Sequence, residues 1–428
     1  MTQRTPHTGS YYAATRNDRV ERSILSGSIE ADVCIVGAGF TGISSALHLA
    51  EAGYKVVVLE AARIGFGASG RNGGQLVNSY SRDIDVIEKN YGPELGKMLG
   101  AMAFEGGRII RERIAQYDIQ CDFKPGGIYA ALNQKQMHEL QEQKALWERY
   151  GHDGLTLLDQ AAIRTEIASE AYVGGLFDPT GGHIQPLNLL LGEVAAFEGL
   201  GGQVFEDSKV IEIERSARPV VKTTQGQVTA NYVLLAGNAY MDQLVPELAA
   251  KSMPCGTQIV ATEVLDPAVA RSLLPNQYCV EDCNYKLDYY RVTADNRLLY
   301  GGGVTYGGGD PASIEAFVRR HMEKTFPQLQ GVKFDYAWGG DFLLTMSRLP
   351  QLGRLTDTIL YAQGYSGHGV TTTHLAGRLV CEAIQGHPER FDAFAKLKHF
   401  PFPGGRMLRT PYTALGALYY GLRDKFGL

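Results

Sequence analysis

The sequence predicts an α/β protein in which a Rossmann-like dinucleotide-binding domain is joined to a second, α+β domain built on a mixed sheet. Three observations predict it. A strand, a glycine turn and a helix follow one another at 31–60, and the same order recurs at 360–380. Between them, residues 282–303 alternate polar and apolar side chains around a turn at 294–296, which is typical of a hairpin. The 428 residues give room for two to three domains.

Composition excludes several classes of function. Lysine and arginine number 41 against 46 aspartates and glutamates, so the net charge is −5 and a dedicated nucleic-acid binder is disfavoured. No apolar run reaches the roughly 20 residues that span a bilayer, and the polar N-terminus is unlike a secretory signal. Six cysteines without the spacing of a zinc site predict reduced thiols, no metal and a cytoplasmic location.

Residues 31–60 contain a complete βαβ unit. The apolar strand 33–36 leads into Gly37, Gly39 and Gly42, which fit a tight turn, close approach to a pyrophosphate and close helix–strand packing. The following helix presents free N–H groups to phosphates, and Glu60 ends the second strand, where a carboxylate accepts hydrogen bonds from ribose hydroxyls. The cofactor residues predicted here are Gly37, Ala38, Gly39, Phe40, Thr41, Gly42 and Glu60. This motif alone does not separate NAD from FAD.

The segment after Glu60, AARIGFGASGRNGGQL, is too rich in glycine for an ordinary connection. Here the chain resembles the flavin-dependent amine and amino-acid oxidoreductases of the D-amino-acid oxidase, glycine oxidase and sarcosine oxidase superfamily. The resemblance implies FAD, with this loop passing along the pyrophosphate and beneath the flavin ring. The matching positions are Ala61 at the ribose, Ala68 and Ser69 near the phosphates, and Gly73, Gly74 and Gln75 beside the flavin.

The resemblance extends over nearly the whole chain. FDPTGGHIQPLNLL at 177–190 enters a helix, DSKVIEIE at 207–214 places Val210 at the adenine, and VLLAGNAY at 233–240 returns to the cofactor domain. The segment 360–380 would present backbone N–H groups and a helix N-terminus to the flavin pyrimidine, where reduced flavin carries negative charge. The residues implied there are Gly364, Tyr365, Ser366, Gly367, His368, Gly369, Val370 and Thr371.

The same resemblance implies a discontinuous arrangement of two domains. The FAD-binding domain comprises 1–90, 172–248 and 338–428, and the substrate domain comprises 91–171 and 249–337. Covalent-flavin relatives carry a cysteine in the stretch that reads TMSRLP in this chain. Its absence predicts FAD that is bound without a covalent link.

On the substrate side the chain departs from the family pattern. Glycine and sarcosine oxidase relatives tend to carry W-x-G-x-R-P, whose arginine binds the substrate carboxylate, but Phe342 occupies that position here. This disfavours a small α-amino acid and favours an amine. Arg348 or Arg291 is a candidate for a more distant carboxylate, although a solvated ion pair explains either residue as well. Of two neighbouring hairpin tyrosines, which must face opposite sides of the sheet, Tyr290 is assigned to the substrate.

The segments YYAATRN, SGRNGGQ, DPTGGHIQPLN and MSRLPQLGR resemble the γ-glutamylputrescine oxidase type within this family. The resemblance implies oxidation of a C–N bond by hydride transfer to flavin N5, giving an imine that hydrolyses to an aldehyde. It implies a γ-glutamylputrescine-like polyamine derivative as substrate, and O2 or another acceptor, with H2O2 as the product from O2. No residue is assigned as catalytic.

Two alternatives stay open at this point. One is a sarcosine, glycine or D-amino-acid oxidase or dehydrogenase, and the other is a non-catalytic FAD-binding or electron-transfer protein. The tail adds a further question, because basic residues from Lys396 onward lie beside the apolar stretch TALGALYY. Such a tail is suited either to weak peripheral contact with a membrane or to packing on its own cofactor domain.

Overall fold

The computed structural model describes residues 5–241, 244–405 and 408–416. Its strands are β1 (Gly27–Val36), β2 (Val56–Leu59), β3 (Gln75–Leu76), β4 (Lys124–Ala131), β5 (Thr156–Leu158), β6 (Gly174–His183), β7 (Gln203–Phe205), β8 (Glu212–Glu214), β9 (Val220–Lys222), β10 (Gly226–Leu235), β11 (Ser252–Thr262), β12 (Cys279–Asp282), β13 (Asp288–Val292), β14 (Leu298–Tyr306), β15 (Phe334–Thr345), β16 (Gln351–Thr356) and β17 (Ile359–Gln363).

The α-helices of the described residues are α1 (Tyr11–Ala14), α2 (Phe40–Glu51), α3 (Ile84–Tyr91), α4 (Pro93–Met102), α5 (Glu105–Gln116), α6 (Gln134–Arg149), α7 (Gln160–Glu166), α8 (Pro186–Gly199), α9 (Pro246–Ala249), α10 (Pro267–Leu273), α11 (Ile314–Thr325), α12 (Gly369–Ile384) and α13 (Glu389–Ala395).

The first sheet has the parallel centre expected of a Rossmann-like domain. Strands β17, β10, β1, β2 and β7 are parallel neighbours in that order, and β16 and β9 add antiparallel edges. β2 is apolar and buried at all four positions, as a strand covered on both faces requires. β1 is longer than the predicted 33–36, because residues 27–31 pair with β10 over 226–230. That pairing is non-local and leaves no apolar signal in the exposed part of the strand.

Helices α2 and α12 both begin at the carboxyl ends of parallel strands in this sheet. α2 is buried along most of its length and packs on α12 and α8. A fully buried contact of 3.1 Å between His374 Nε2 and Glu193 Oε1 links α12 to α8. Two helix N-termini are therefore fixed side by side at one edge of the sheet.

The second sheet is mixed, as the sequence predicted. Its order is β15-β11-β14-β13-β12-β4-β6-β3, in which β12 and β4 are parallel and the other neighbours are antiparallel. The predicted hairpin is confirmed as β13 and β14, whose turn contains Asn296 at a φ of +63°. The two-sheet α/β architecture predicted from the sequence is confirmed.

Sheet membership differs from the predicted division at three places, the first of which is β3, which lies within 1–90 but pairs with β6 in the second sheet. β6 lies in the stretch 172–248 assigned to the cofactor domain but runs in the second sheet, and β15 continues that sheet to Thr345, past the boundary at 338. Glycine-rich segments occur in both sheets where the two domains meet. Glycine content therefore does not indicate where one sheet ends and the other begins. We propose that the cofactor domain resumes at Pro186 and again after Thr345; the other boundaries stay predictions.

The described part of the C-terminal tail packs against the protein itself. Arg409 donates hydrogen bonds to the carbonyl oxygens of Ala249, at 2.9 Å, and Ser252, at 2.7 Å. No helix of the described residues has the length and apolar character needed to cross a membrane. The predicted membrane contact gains no support from these observations. Part of the basic and apolar tail on which that prediction rests lies outside the described residues, namely Arg406, Arg423, Lys425 and 417–420.

Candidate functional site: a dinucleotide cleft joined to a second cavity

A cleft of about 640 Å³ opens where α2 and α12 begin. It is bordered by the first glycine turn, the end of β2, the glycine loop 65–69 and the turn before α12. The predicted cofactor residues that line it are Gly37, Gly39, Phe40, Thr41, Glu60, Ala61, Ala68, Ser69, Val210, Tyr365, Ser366, Gly367, Gly369 and Val370. Segments separated by more than 300 residues in the chain therefore meet in one groove.

The first glycine turn packs so closely on its neighbours that a side chain at its glycines would clash with protein atoms. Gly37 has a φ of +108°, a conformation that favours glycine. A Cβ on Gly39 would lie 2.8 Å from Ser69 Oγ, and a Cβ on Gly42 would lie 1.9 Å from the carbonyl oxygen of Gly37. Gly42 does not line the cleft; it lets α2 pack directly against the turn, as predicted. Ala38 also lies outside the lining and acts through its backbone N–H.

Glu60 binds that N–H group. Its carboxylate accepts hydrogen bonds from the backbone N–H groups of Ala38, at 2.8 Å, and Ala62, at 3.0 Å. Burial raises the pKa of this carboxyl, and the two backbone hydrogen bonds oppose that rise. Glu60 therefore joins the end of β2 to the glycine turn, in addition to facing the cleft at the position predicted for the ribose.

Neither helix N-terminus at the cleft is capped by a side chain of its own N-cap residue. The N-cap of α2 is Gly39 and that of α12 is His368, and neither makes a side-chain cap bond. The N–H of Phe40 is bound by Ser69 Oγ at 2.9 Å, and Thr41 Oγ1 lies 2.9 Å from the hydroxyl of Tyr365. Free N–H groups and the positive ends of two helix dipoles suit a pyrophosphate at one helix and an anionic flavin edge at the other.

The turn before α12 is held open by unusual backbone conformations. Gly364, Ser366 and Gly367 have φ values of +73°, +55° and +102°. The N–H of Gly364 is bound by Asn238 Oδ1 at 3.1 Å, so Gly364 supports the turn without lining the cleft. Thr371 likewise lies outside the lining, because its hydroxyl donates to the carbonyl of Val77 at 2.6 Å. Both predicted residues are placed in the backbone that shapes the site.

A second cavity, of about 220 Å³, joins the cleft. The two spaces share lining residues from the glycine loop, from β15 and from the start of α12, so a flat group at the end of the cleft would border both. The shared residues are Ala68, Asn72, Phe342, Ser366, Gly367, Gly369 and Val370. Gly73, Gln75 and His368, predicted beside the flavin, line the second cavity alone.

Gly73 and Gly74 lie under side chains of the second sheet. A Cβ on Gly73 would lie 2.6 Å from the ring of Tyr289, and one on Gly74 would lie 3.0 Å from Arg291 Nη2. Gly74 has a φ of +74° and its N–H donates to Asn72 Oδ1 at 2.8 Å. The predicted pair is needed for close approach of the two domains, and only Gly73 borders open space.

The assignment of Tyr290 to the substrate is wrong. Its side chain is fully buried, donates to the hydroxyl of Tyr172 at 2.9 Å and stacks on Tyr300 with ring centroids 5.3 Å apart. Tyr289, on the other face of β13, lines the second cavity. Alternation correctly predicted opposite faces, but which face meets the cofactor depends on how the sheet packs.

Arg291 is also corrected, because it is buried and does not line either cavity. Its Nε donates to the carbonyl of Gly73 at 2.9 Å, and its Nη2 donates to the hydroxyl of Tyr12 at 3.2 Å. It therefore fixes the glycine loop in place and is not available for a substrate carboxylate. Arg348 does line the cavity, with its guanidinium carbon 4.4 Å from the ring centre of Tyr285. Phe342 lines both spaces.

Glu281, a carboxylate that lines the second cavity, was not predicted from the sequence. Burial raises its pKa to about 7, and no hydrogen bond or cation among the described residues counters that effect. Lys209, Asn238 and Tyr240 in the cleft were missed as well. A polar residue in an otherwise apolar strand was the available signal for Glu281, since CVED precedes the predicted hairpin.

Comparison with known proteins agrees with this geometry. The model of the DAO family, described as FAD dependent oxidoreductase, matches residues 32–383. The chain is 63% identical over 99% of its length to γ-glutamylputrescine oxidoreductase of Escherichia coli (strain K12), covering 100% of that protein. It is 43% identical over 98% of its length to a probable oxidoreductase, OrdL, of Haemophilus influenzae, covering 98% of that protein.

Solved structures share the fold. The crystal structure of glycine oxidase from Geobacillus kaustophilus superposes with a TM-score of 0.71 at 22% identity, covering 87% of this chain and 99% of that one. The glycine turn without space for side chains, the helix ends without a side-chain cap from their own N-cap residues and the Glu60 carboxylate in the cleft lining are compatible with FAD. The individual contacts to the cofactor stay predictions.

Proposed function

Because this chain belongs to the DAO family of FAD-dependent oxidoreductases, we propose that it oxidises the primary amine of γ-glutamylputrescine. The observation that carries the proposal is the end-to-end identity with the γ-glutamylputrescine oxidoreductase of Escherichia coli. The match runs the length of both chains and covers well over half of all positions, which supports a shared activity. The finer claim of this substrate, and not another amine, rests on the residues of the second cavity.

FAD bound in the cleft would take a hydride from the carbon next to the amine nitrogen, and the resulting imine would hydrolyse to an aldehyde and ammonia. The protein supplies binding and orientation. The N-terminus of α12 would stabilise the negative charge that develops on the flavin, and Gly73, Phe342 and Val370 line the second cavity, where the substrate would bind. Tyr289, Tyr285 and Tyr306 form an aromatic wall that suits the butyl chain of a diamine.

The distribution of charge in the second cavity supports an amine with a remote carboxylate. Phe342 occupies the position at which the family pattern described above has an arginine for the α-carboxylate, so this part of the cavity wall offers no such contact. Arg348 provides a cation elsewhere on the wall of the cavity. A γ-glutamyl group would bring its carboxylate to Arg348 while the amine end reaches the flavin. A bidentate pair of this kind orients the substrate as well as binding it.

The acceptor and the location belong to the same proposal. We expect O2 to reoxidise the flavin with formation of H2O2, in a cytoplasmic enzyme that keeps its cysteines reduced. All six cysteines are free thiols, and five of them are buried. Oxidation of an amine to an aldehyde then releases two electrons for each molecule of acceptor consumed.

Anaerobic stopped-flow reduction of the holoenzyme tests the proposal. We expect γ-glutamylputrescine to bleach the flavin at least tenfold faster than putrescine, sarcosine, glycine or a small D-amino acid. Arg348→Met should raise the apparent Kd for γ-glutamylputrescine about tenfold or more, with little effect on putrescine, because only the former carries a carboxylate. Faster reduction by sarcosine than by any γ-glutamyl amine or polyamine would overturn the substrate assignment.

A further inference from the structure

We propose that Glu281 binds the substrate's ammonium group in the second cavity and accepts its proton, generating the neutral amine. This inference rests on the proposed function, since it names how that substrate is prepared. Hydride leaves the carbon of an amine only when the nitrogen lone pair is free, whereas a primary amine is protonated at neutral pH, with a pKa of about 10.4 for a lysine-like group. A base near the reacting carbon removes that barrier.

The register of the second sheet places Glu281 on the cavity face. Glu281 pairs with Tyr289 across β12 and β13, and the preceding pair is Val280 with Tyr290. Residues directly opposite in an antiparallel pair point the same way, with Cβ atoms about 4.5–5.5 Å apart. Tyr290 faces the buried core on the other side, so Glu281 and Tyr289 share the face whose tyrosine ring covers Gly73.

Glu281 lines the cavity in which the proposed substrate would lie, and it has no hydrogen bond or ion pair with another of the described residues. Its carboxylate is desolvated by the cavity wall, and no cation of the described residues forms a salt bridge with it. An unpaired carboxylate in such a place costs stability, and a ligand cation would restore the lost interaction. Arg348 lines the same cavity and forms no ion pair with Glu281, while Arg71, which also lines the cavity, donates to the carbonyl of Phe66. Glu281 and Arg348 therefore suit a substrate that carries both charges.

Other ionisable groups around Glu281 are poorly suited to take this proton. His368 lines the cavity, but burial and the nearby Arg348 lower its pKa to about 4. Burial raises the pKa of Tyr289 and of Tyr129, the partner of Glu281 on β4, far above neutrality. Burial also raises the pKa of Tyr306 to about 12.

The remaining neighbours lie on β12 or beside it. Asp282 is the next residue along β12 and does not line the cavity. Burial raises its pKa to about 8. Cys279 is buried away from the cavity, and its pKa is raised to about 12. Arg71 is a cavity-lining cation and cannot accept a proton. Glu281 is thus the group on this wall whose own pKa, raised to about 7, suits exchange with an amine at neutral pH.

The proton transfer is balanced without any further reactant. One N–H bond of the ammonium breaks, one O–H bond forms at a Glu281 oxygen, and the electron pair stays on the nitrogen. The substrate becomes neutral and so does Glu281. The proton then returns to solvent before the next turnover, since the cavity is open to water when the product leaves.

The first test is the pH dependence of anaerobic flavin reduction by γ-glutamylputrescine in Glu281→Gln and in wild-type holoenzyme. Glutamine keeps the shape but accepts no proton. We expect a loss of about a hundredfold in the limiting reduction rate at pH 7.5, within the usual range for a general base. The rate should recover to within about fivefold of wild type at pH 10.5, where solution supplies the neutral amine. Glu139→Gln, an exposed carboxylate on α6, is the matched control and should follow wild type.

The second test does not depend on turnover or on the choice of substrate. Butyltrimethylammonium carries a fixed positive charge and cannot be oxidised through a free lone pair. Its affinity for the holoenzyme, measured by calorimetry, should fall about tenfold in Glu281→Gln and stay unchanged in Glu139→Gln. If wild-type protein binds this cation through Glu281 but does not react with γ-glutamylputrescine, the proposed substrate is overturned and the role of Glu281 is not. Equal affinities, or a Glu281→Gln rate that follows the wild-type pH profile, would overturn the role of Glu281.

Discussion

Two half-buried carboxylates, Glu60 and Glu281, show how one residue type serves different purposes through its partners. Glu60 accepts two backbone hydrogen bonds, which stabilise its charged form at the rim of the cleft. Glu281 has no such donors among the described residues, so burial alone acts on it. The first carboxylate is part of the architecture of the cofactor site. The second is an unsatisfied group, which is the usual condition of a residue that awaits a ligand.

Replacing Glu60 tests the first role. Glu60→Gln removes the charge that binds Ala38 N–H and faces the ribose, and we expect FAD affinity to fall about ten- to a hundredfold. Flavin fluorescence on serial dilution measures the dissociation constant. Glu139→Gln, an exposed carboxylate on α6 outside the cleft lining, should leave it unchanged. Full flavin retention in Glu60→Gln would place the ribose contact elsewhere.

Replacing Glu281 should stabilise the protein in a pH-dependent way. Because its folded pKa is raised from 4.5 to about 7, the native state keeps a proton that the unfolded state has already lost. Stability therefore falls as pH rises from about 4.5 to 7, and the full cost, at most roughly 3 kcal/mol, applies above that range. Urea unfolding should show Glu281→Gln to be more stable than wild type at pH 8, with the difference shrinking toward pH 5. A difference independent of pH would contradict the raised pKa.

At the scale of elements, the contact between α2 and the turn after β1 depends on an absent side chain. A Cβ on Gly42 would lie 1.9 Å from the Gly37 carbonyl oxygen, which is backbone and cannot rotate away. Close packing at this point sets the direction of the α2 N-terminus toward the cleft. The third glycine of the motif thus acts through helix position and not through contact with the cofactor.

Gly42→Ala should therefore displace α2. We expect a loss of about 1–3 kcal/mol in unfolding free energy and purification largely without FAD. Gly199→Ala is the matched control, because it lies at the end of α8 with nothing within 4 Å of the added Cβ. That change should be neutral or slightly stabilising. Thermal unfolding and the flavin-to-protein absorbance ratio report both effects, and normal flavin content in Gly42→Ala would contradict the packing argument.

The turn between β15 and β16 bears on how the flavin is attached. It reads TMSRLP, without a cysteine, and within the described residues no cysteine lines the cleft or the second cavity. We expect acid precipitation to release all of the FAD into the supernatant, where its absorbance is measured. Flavin that stays with the denatured pellet would show a covalent link through another residue type.

At the scale of the whole molecule, the N-terminal segment before β1 connects the two domains. Tyr12 is fully buried; its hydroxyl accepts from Arg291 and its ring lies 5.3 Å from that of Trp338, both in the second sheet. Its carbonyl accepts from Gln185 Nε2, at the N-terminus of α8, at 3.1 Å. Since Arg291 holds the Gly73 carbonyl, this segment supports the flavin loop from behind.

Truncation of that tyrosine should affect stability and cofactor together. We expect Tyr12→Ala to lower the unfolding free energy by about 3–5 kcal/mol, the usual cost of deleting a buried aromatic ring, and to weaken FAD binding. Tyr12→Phe keeps the ring and removes one hydrogen bond, so its cost should be about 1 kcal/mol. Denaturant unfolding of both variants, with flavin release followed in parallel, measures the difference. Equal stability of Tyr12→Ala and wild type would show that α1 docks without holding the domains.

The sequence by itself determined the cofactor unit of this protein. The βαβ unit and the strand, turn and helix at 360–380 were predicted correctly, because each is a local pattern whose parts are neighbours in the chain. Glu60 follows β2 and lines the cleft, and its contact with a ribose stays a prediction. Glycines at Gly37 and Gly367 are required by left-handed backbone, which is a property of the residue itself. The strand alternation that put Tyr289 and Tyr290 on opposite faces is local for the same reason.

Only the tertiary structure decided which of those faces meets the flavin, and with it the substrate wall. Glu281 lies beside Tyr289 because β12 pairs with β13. Arg291 is unavailable to a substrate because it donates a hydrogen bond to the carbonyl of Gly73, which lies 218 residues away in the chain. The second sheet also contains β6, although β6 lies in the stretch 172–248 that the sequence assigned to the cofactor domain. Such choices depend on burial against partners that are distant in sequence, and no spacing of residues along one strand encodes them.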